Sequence, residues 1–476
     1  MKRRRIKRVM LLNPPNIVWK GKDRKRVDLP IGLAYLSSVL QMEKFDVMGI
    51  DTLLDGFDEE HEAQDGRVRF GLSDEQIKQR IQEFRPDVVG ISSMFSKSFT
   101  LAVHMCRLAK EVDPDIVTVM GGNHASTLPE QSLRRSEGML DYVVIGEGEF
   151  TTGLLFRAIS KGYDLNKIHG IAFLDDNGNA VINPPLEPIY NVDILPWPDR
   201  DMFNILEYSR IAKPHGDDLM NTPYTTFLSS RGCPFKCNFC AAHNVHGRNY
   251  RPRDPDDVLD ELEFLVEQYG VREIHWEDDN LTYDRDRAMA IFNGMIERKL
   301  NLSWCTPNGI AFYTLDREMI ERMRESGCYA VWAAVETGDM ESLKRIGKPT
   351  TMQAFRDFIP MFKEQGITVK GTFLYGFPWE TRKHMENTFR FAQELDLDYV
   401  VFYIATPLPG TELWDLSLDK YPELASPDFD WEKLQFGLSN MEVNGISKEE
   451  IQQMRKKYWL KVNWNLDEDQ EAPDGK

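Results

Sequence analysis

Short runs of mostly apolar residues recur through the first 150 positions, each separated from the next by a segment of helical length. Val9–Leu12, Asp46–Ile50, Asp87–Ile91, Ile116–Met120 and Tyr142–Ile145 are apolar on successive positions, so each predicts a strand buried on both faces. Such strands require a parallel sheet with helices on either side. The apolar pattern of Ile31–Leu40 supplies one of those helices. From Tyr224 the alternation resumes, with six strands predicted at Tyr224–Leu228, Arg272–Trp276, Leu302–Thr306, Tyr329–Val335, Val369–Leu374 and Tyr399–Ala405. A helix between the first two opens at Asp254-Pro255, shows Val258, Leu262, Leu265 and Tyr269 on one face, and stops at Gly270. Six strands in this alternation predict a partial (β/α)6 barrel of TIM type.

The pattern divides the chain into four stretches: a Rossmann-like sheet over 1–160, a linker with a hairpin over 161–222, the barrel over 223–413 and a C-terminal segment over 414–476. The hairpin is read from Ile171–Phe173 and Ala180–Ile182 around the turn Asp175–Gly178. Trp414, Tyr421, Phe429, Trp431 and Phe436 mark the last stretch as aromatic, ahead of a helix over Lys448–Val462. Packing is the reading favoured for those rings.

Composition narrows the function classes. The 476 residues carry a net charge of −18, which disfavours a nucleic-acid partner and leaves small molecules or peptides as substrates. No apolar run approaches the ~20 residues of a membrane span, and the basic start Lys2–Arg8 lacks the apolar core of a secretory signal. Six cysteines without paired spacing predict a reducing, cytoplasmic setting.

Three of those cysteines, Cys233, Cys237 and Cys240, space as C-x3-C-x2-C on the loop that leaves the first barrel strand. Chance gives this spacing in on the order of one in a thousand chains of this cysteine content. Three thiolates with no clear fourth partner point to an iron–sulfur cluster with one open iron; structural zinc closes with four protein ligands. His243 and His246 follow closely, so a zinc-stabilised binding protein is the reading from another class. Cys305 and Cys328 lie in or beside barrel strands and are read as small buried hydrophobes.

The other strand exits are chemically distinctive as well. In the first sheet they read Asn13-Pro14-Pro15-Asn16, Ser92-Ser93-Met94, Gly121-Gly122-Asn123-His124 and Gly146-Glu147-Gly148-Glu149. Ligands of parallel sheets bind at such exits, and glycines there let a backbone approach a bulky ligand. In the barrel they read Glu277-Asp278-Asp279-Asn280, Glu336-Thr337-Gly338, Tyr375-Gly376-Phe377-Pro378-Trp379-Glu380 and Thr406–Thr411.

The cysteine loop resembles that of the radical S-adenosylmethionine (SAM) superfamily. The N-terminal exits, with Asn-Pro-Pro, Gly-Gly-x-His and Gly-Glu-Gly-Glu, resemble the cobalamin-binding domain of its cobalamin-dependent members. The resemblance implies a 4Fe-4S cluster on Cys233, Cys237 and Cys240, with SAM chelating the open iron. It implies SAM contacts at Phe239, at Glu277, Asp278 and Asn280 for the amine with Asp278 first, at Glu336 and Gly338 for the ribose side, and at Gly376 for adenine. For cobalamin it implies Asn13, Pro14, Ser92, Ser93, Met94, Gly121, Gly122, His124, Gly146, Glu147 and Gly148. The chain has no Asp-x-His-x-x-Gly to supply a cobalt ligand, which leaves the lower axial ligand open.

Family likeness further implies a methyltransferase acting at an unactivated carbon through a 5′-deoxyadenosyl radical and methylcobalamin. Its electrons would come from an external flavodoxin- or ferredoxin-type donor. A non-methylating rearrangement or oxidative cyclisation is the alternative within the family. Methylthiolation would need further cluster cysteines in the N-terminal stretch, where only Cys106 is found.

Overall fold

The run Arg8–Asn13 pairs in parallel with Asp46–Asp51 on one side and Val88–Ser92 on the other. Val9, Met10 and Leu12 are thereby removed from solvent entirely, as doubly apolar strands require. This computed structural model describes residues 5–20, 25–63, 66–216, 219–426, 428–467 and 470; Lys2–Arg4 of the basic start and nearly all of the acidic end lie outside them. The chain forms two compact units, Met1–Asp218 with Ala242–Gly247, and Leu219–Ala241 with Arg248–Lys476.

The first unit is built on a seven-stranded sheet. From edge to edge it runs Ala180–Ile182, Ile171–Leu174, Tyr142–Val144, Val117–Gly121, Val88–Ser92, Arg8–Asn13 and Asp46–Asp51. The five strands expected in the first 150 residues are the parallel part. The hairpin that the sequence places in a linker instead joins this sheet, with Ile171–Leu174 antiparallel to Tyr142–Val144. Ile171 and Ala172 are fully buried, so the hairpin covers an edge that would otherwise expose unpaired amides. A small antiparallel sheet of Asn16–Trp19, Arg67–Phe70 and Glu60–Glu62 was not legible in the pattern. Its central strand alternates and its outer strands are only four and three residues long.

Six parallel strands make the second unit: Tyr224–Phe227, Glu273–Trp276, Ser303–Ile310, Cys328–Glu336, Thr368–Tyr375 and Tyr399–Ile404, in chain order. The helix Pro255–Tyr269 between the first two begins where Asp254 accepts from the Asp256 amide. It ends at Gly270, whose φ of 65° suits a residue without Cβ.

The sixth strand is an open edge, and the helix Lys448–Trp464 closes it. Asn463 accepts from the Val400 amide at 2.8 Å and donates to its carbonyl at 2.9 Å, while Arg455 Nε donates to the Phe402 carbonyl at 2.7 Å. A side-chain amide thus does what the backbone of a seventh strand would do. The aromatic segment packs as expected, with Trp414 and Trp431 stacked at 5.9 Å and Phe429 edge-on to Trp431 at 5.2 Å.

Candidate functional site

Leaving the strand Tyr224–Phe227, the chain turns sharply into the cysteine loop. Gly232 donates its amide to Asp279 Oδ2 at 3.0 Å. Asn238, between the second and third cysteines, anchors the loop at three points. Its amide donates to the Ile346 carbonyl at 2.9 Å, its Nδ2 to the Arg345 carbonyl at 3.0 Å, and its carbonyl accepts from Leu413 at 2.8 Å. Asn238 is buried, while all three cysteines are half-buried and outside any disulfide. Rigid backbone and accessible sulfur together suit a metal cluster.

The surroundings of the sulfurs are polar on one side. Burial raises the Cys233 thiol, opposed by hydrogen bonds from the Phe235 amide and the Asn280 side chain. Burial also pushes Cys237 up to about 12, opposed by the Lys348 ammonium and assisted by its sister thiols and Glu336. Iron binding replaces the thiol proton, and the donors and cation already in place favour the thiolate form that metals take. Among the described residues no three His, Cys, Asp or Glu converge on a single ion. A cluster asks for no such convergence, because each thiolate holds a separate iron.

The carboxylate-rich exit Glu277–Asn280 divides its labour. Asp278 is turned inward: Ser229 donates to it through its amide at 3.0 Å and its hydroxyl at 2.7 Å, and Ser230 through its hydroxyl at 2.5 Å. At 2% exposure it works as the knot between two strand exits. Glu277 is half-buried and accepts from Asn308 Nδ2 at 2.8 Å. Asn280 Nδ2 lies 3.4 Å from Tyr313 Oη, and its buried Oδ1 has no partner among the described residues. Thr306 Oγ1, on the third strand, is likewise buried and without a partner among the described residues. Buried groups of this kind are left to be satisfied by the ammonium or hydroxyl donors of a bound ligand.

At the end of the fourth strand Glu336 sits in the left-handed region, φ 67°, beside a bulge in the ladder. Its carboxylate is 2.6 Å from Lys348 Nζ. Gly338 is explained by packing: a Cβ there would lie 2.3 Å from Phe391 Cβ. After the fifth strand, Gly376 (φ 85°) and Phe377 donate amides to Glu380 Oε2 at 2.7 and 3.2 Å, and Ser342 donates to Oε1 at 2.7 Å. Complete burial pushes Glu380 up to about 7. Phe239 packs with Phe377, Leu343, Ile346 and Leu413 in one apolar cluster.

The exits of the first unit are tied together through backbone. Ser93 donates its amide to the Gly121 carbonyl at 2.7 Å, and the His124 amide donates to the Ser93 carbonyl at 3.1 Å. Gly122 has φ 105°, and a Cβ there would stand 2.8 Å from the Ser93 carbonyl, so this crossing admits only glycine. The Ser93 hydroxyl is fully buried and has no partner among the described residues, the kind of group a bound ligand satisfies. Ser92 is half-buried and Met94 exposed. His124 is held beneath the loop, its Nδ1 2.9 Å from Ser96 Oγ and its ring 4.5 Å from Phe99, and burial drives it down to about 3. It is therefore neutral.

Asn13 donates to Asp51 Oδ1 at 2.9 Å, and Asp51 also receives Tyr208 Oη at 2.8 Å. Burial raises Asp51 to about 6. Pro14 beside it is buried. At the Gly146–Gly148 exit the Gly146 amide donates to Ser126 Oγ and Glu147 accepts from the Ile189 amide. Gly148 opens the helix to Lys161, against Leu36. A cavity of about 260 Å3 lies here, lined by Gly146, Glu147, Phe150, Pro188, Ile189 and Val245.

Sequence reasoning missed Asp51, Tyr208, Asn238 and Lys348. Only Asn238 left a signal, a polar residue inside the cysteine run.

Residues 227–392 match the radical SAM superfamily model and residues 27–155 the B12 binding domain model. The chain is 32% identical to an uncharacterized methyltransferase of Pyrococcus horikoshii, over 96% of its own length and 92% of the relative's. It is also 32% identical to the cytidylyl-2-hydroxyethylphosphonate methyltransferase of Streptomyces wedmorensis, over 86% of this chain and 81% of that one. In fold it is similar to the radical SAM methyltransferase TsrM of Kitasatospora setae, solved with cobalamin and a 4Fe-4S cluster. The TM-score there is 0.70 at 20% identity, over 93% of this chain and 82% of that one. This chain belongs to the cobalamin-dependent radical SAM enzymes, whose cofactors are a 4Fe-4S cluster, SAM and cobalamin.

Proposed function

We propose that this chain is a methyltransferase that places a methyl group on an unactivated carbon of a small-molecule or peptide substrate. The observation that carries the reading is the 32% identity to two methyltransferases through both units, each of which has a prepared strand-end rim. The cofactors supply hydrogen abstraction and methyl carriage when bound; the protein's part is to hold and orient them and exclude competing reactions.

Cys233, Cys237 and Cys240 would hold three irons, with Asn238 fixing their loop. Asn280 Oδ1 and Glu277 are the acceptors best placed for the SAM ammonium, and Asp278 serves them by fixing the exit from which they project. Glu336 would meet the ribose hydroxyls once Lys348 shares its carboxylate, and the Gly376 turn, braced by Glu380, would pack the adenine. In the first unit, Ser92, Ser93, Gly121 and Gly122 would take the corrinoid tail. Their neutrality suits a ligand bound through amides and hydroxyls. Asn13, Met94 and Glu147 would line its rim.

The reductant is assigned to a flavodoxin or ferredoxin type of carrier, and the setting to the cytoplasm, consistent with six cysteines outside disulfides. No helix among the described residues is long and apolar enough to cross a membrane.

The test is the fate of SAM in anaerobically reconstituted enzyme, with cytidylyl-2-hydroxyethylphosphonate as the first probe and a fractionated small-molecule extract as the second. Methyl transfer yields both S-adenosylhomocysteine and 5′-deoxyadenosine in step with methylated product. Formation of 5′-deoxyadenosine and a dehydrogenated or cyclised product without S-adenosylhomocysteine would replace this reading with the non-methylating one.

A further inference from the structure

The outer side of the cysteine loop differs in charge from the rest of the molecule. Between Arg231 and Arg253 the chain has five cations and no acid, in a protein whose net charge is −18; Arg231, Arg251 and Arg253 are buried, which leaves Lys236 as the exposed cation of this stretch. Lys236, between the first and second cysteines, is exposed, and its ammonium has no ion-pair partner among the described residues. Lys344 is equally exposed and unpaired, on the helix Met340–Ile346. The two are brought to one place by the loop's own anchors. Asn238 bonds the Arg345 and Ile346 carbonyls at 3.0 and 2.9 Å, and Gly347 lies against the Lys236 carbonyl. Arg248, half-buried, donates to the Phe235 carbonyl at 2.5 Å.

Acids nearby are already engaged. Glu341 pairs with Arg345 at 2.7 Å, Asp279 accepts from Gly232, and Asp284 caps the helix Arg285–Glu297. The two lysines are therefore uncompensated.

An aromatic path leads inward beside them. Tyr283 is 40% exposed and stands edge-on to Phe235, centroids 5.7 Å apart. Phe235 lies between Cys233 and Cys237 in sequence and is edge-on to Tyr313 at 5.1 Å. A ring open to solvent thus touches a ring of the cluster-holding loop, and Lys236 directly follows that ring in sequence. Surface charge of this kind steers an oppositely charged partner and sets its rate of encounter.

We infer that Lys236, Lys344 and Tyr283 form the docking face for an acidic one-electron carrier protein. The inference rests on the proposed cluster at Cys233, Cys237 and Cys240. Charge complementarity and the proposed cluster beneath the face select the occupant: a carrier with an acidic surface around its redox group, which brings the electron that a second copy of this chain does not. The carrier gives up one electron, passing from its reduced to its singly oxidised state, and the cluster accepts it; no atom is transferred.

The experiment uses the full chain with its reconstituted cluster. An acidic flavodoxin in its hydroquinone form and reduced methyl viologen, a small cation, are compared as reductants. The growth of the reduced-cluster EPR signal is followed by rapid freezing in wild type and in K236E/K344E. The expected result is a fall of about tenfold or more in the flavodoxin rate at low salt, fading as ionic strength rises through the range where the Debye length drops below ~8 Å, with the methyl viologen rate not reduced. A second variant, Tyr283→Leu, should slow the flavodoxin step severalfold without changing its salt dependence. Equal flavodoxin rates in wild type and K236E/K344E would overturn the docking face, as would a parallel loss with both reductants. Failure of wild type to assemble an iron–sulfur chromophore at all would instead refute the cluster on which the inference rests.

Discussion

The two strand-end rims are built from opposite materials. In the first unit the loops cross backbone to backbone, with Gly122 against Ser93 and amides donating to carbonyls, and the nearest ionisable groups are sequestered: His124 neutral, Asp51 raised to about 6. In the second the loops are held by carboxyl side chains: Asp278 on Ser229 and Ser230 and Glu380 on the Gly376 turn by hydrogen bonds, Glu336 on Lys348 by an ion pair. A neutral, backbone-lined rim suits a large ligand rich in amides; a charged one suits a zwitterion and thiolates. The same topological position, the exit of a parallel strand, is thus adapted to two different ligands by what closes the loops.

Removing a thiolate breaks the second rim most severely. Cys237→Ala should lower iron content and SAM cleavage by at least about 100-fold, read by iron analysis and chromatography, while leaving corrinoid retention by the first unit unchanged. Closing the backbone crossing breaks the first rim instead. Gly122→Val, with φ 105° and no room for a Cβ, should cost about 3–4 kcal/mol in denaturant unfolding and abolish corrinoid retention.

The charged rim also carries a pH signature. Glu380 is raised from an ordinary value of 4.5 to about 7, so the folded state holds this proton more tightly than the unfolded chain. Its contribution is fully present below pH 4.5 and is lost as pH rises through 7, a decline of roughly 3 kcal/mol. Glu380→Gln keeps an acceptor for the Gly376 amide and cannot ionise, so urea unfolding should show this part of the slope flattened between pH 5 and 8. An unchanged slope would show that the charge is not stored there. The smallest effect is expected at Lys348→Met, which leaves Glu336 without its cation. It should weaken SAM binding by about tenfold, measured calorimetrically.

Much of this architecture was written locally. The cysteine spacing, the doubly apolar strands and the Asp254–Gly270 helix limits depend on neighbours in sequence and were readable there. What was not readable depends on residues far apart. Asp278, the first choice for the SAM amine, carries no local sign that Ser229 and Ser230, on another strand exit, donate to it. Glu336 gave no sign that Lys348 would face it or that its backbone would turn left-handed. Asp51 and Tyr208 are 157 positions apart. The hairpin Ile171–Ile182 was recognisable as a hairpin, yet its partner strand, Tyr142–Val144, could be assigned only from the sheet. Local periodicity specifies elements; which side chain meets which across exits is decided by packing.

The central claim is that one chain holds a three-cysteine cluster and a corrinoid on these two differently built rims. Iron, zinc and corrinoid measured on the same anaerobically reconstituted preparation, with Cys237→Ala and Gly122→Val beside wild type, test it most directly. The account predicts about four irons and one corrinoid per wild-type chain, with iron lost in the first variant and corrinoid in the second. A colourless protein with one zinc and no corrinoid would contradict it.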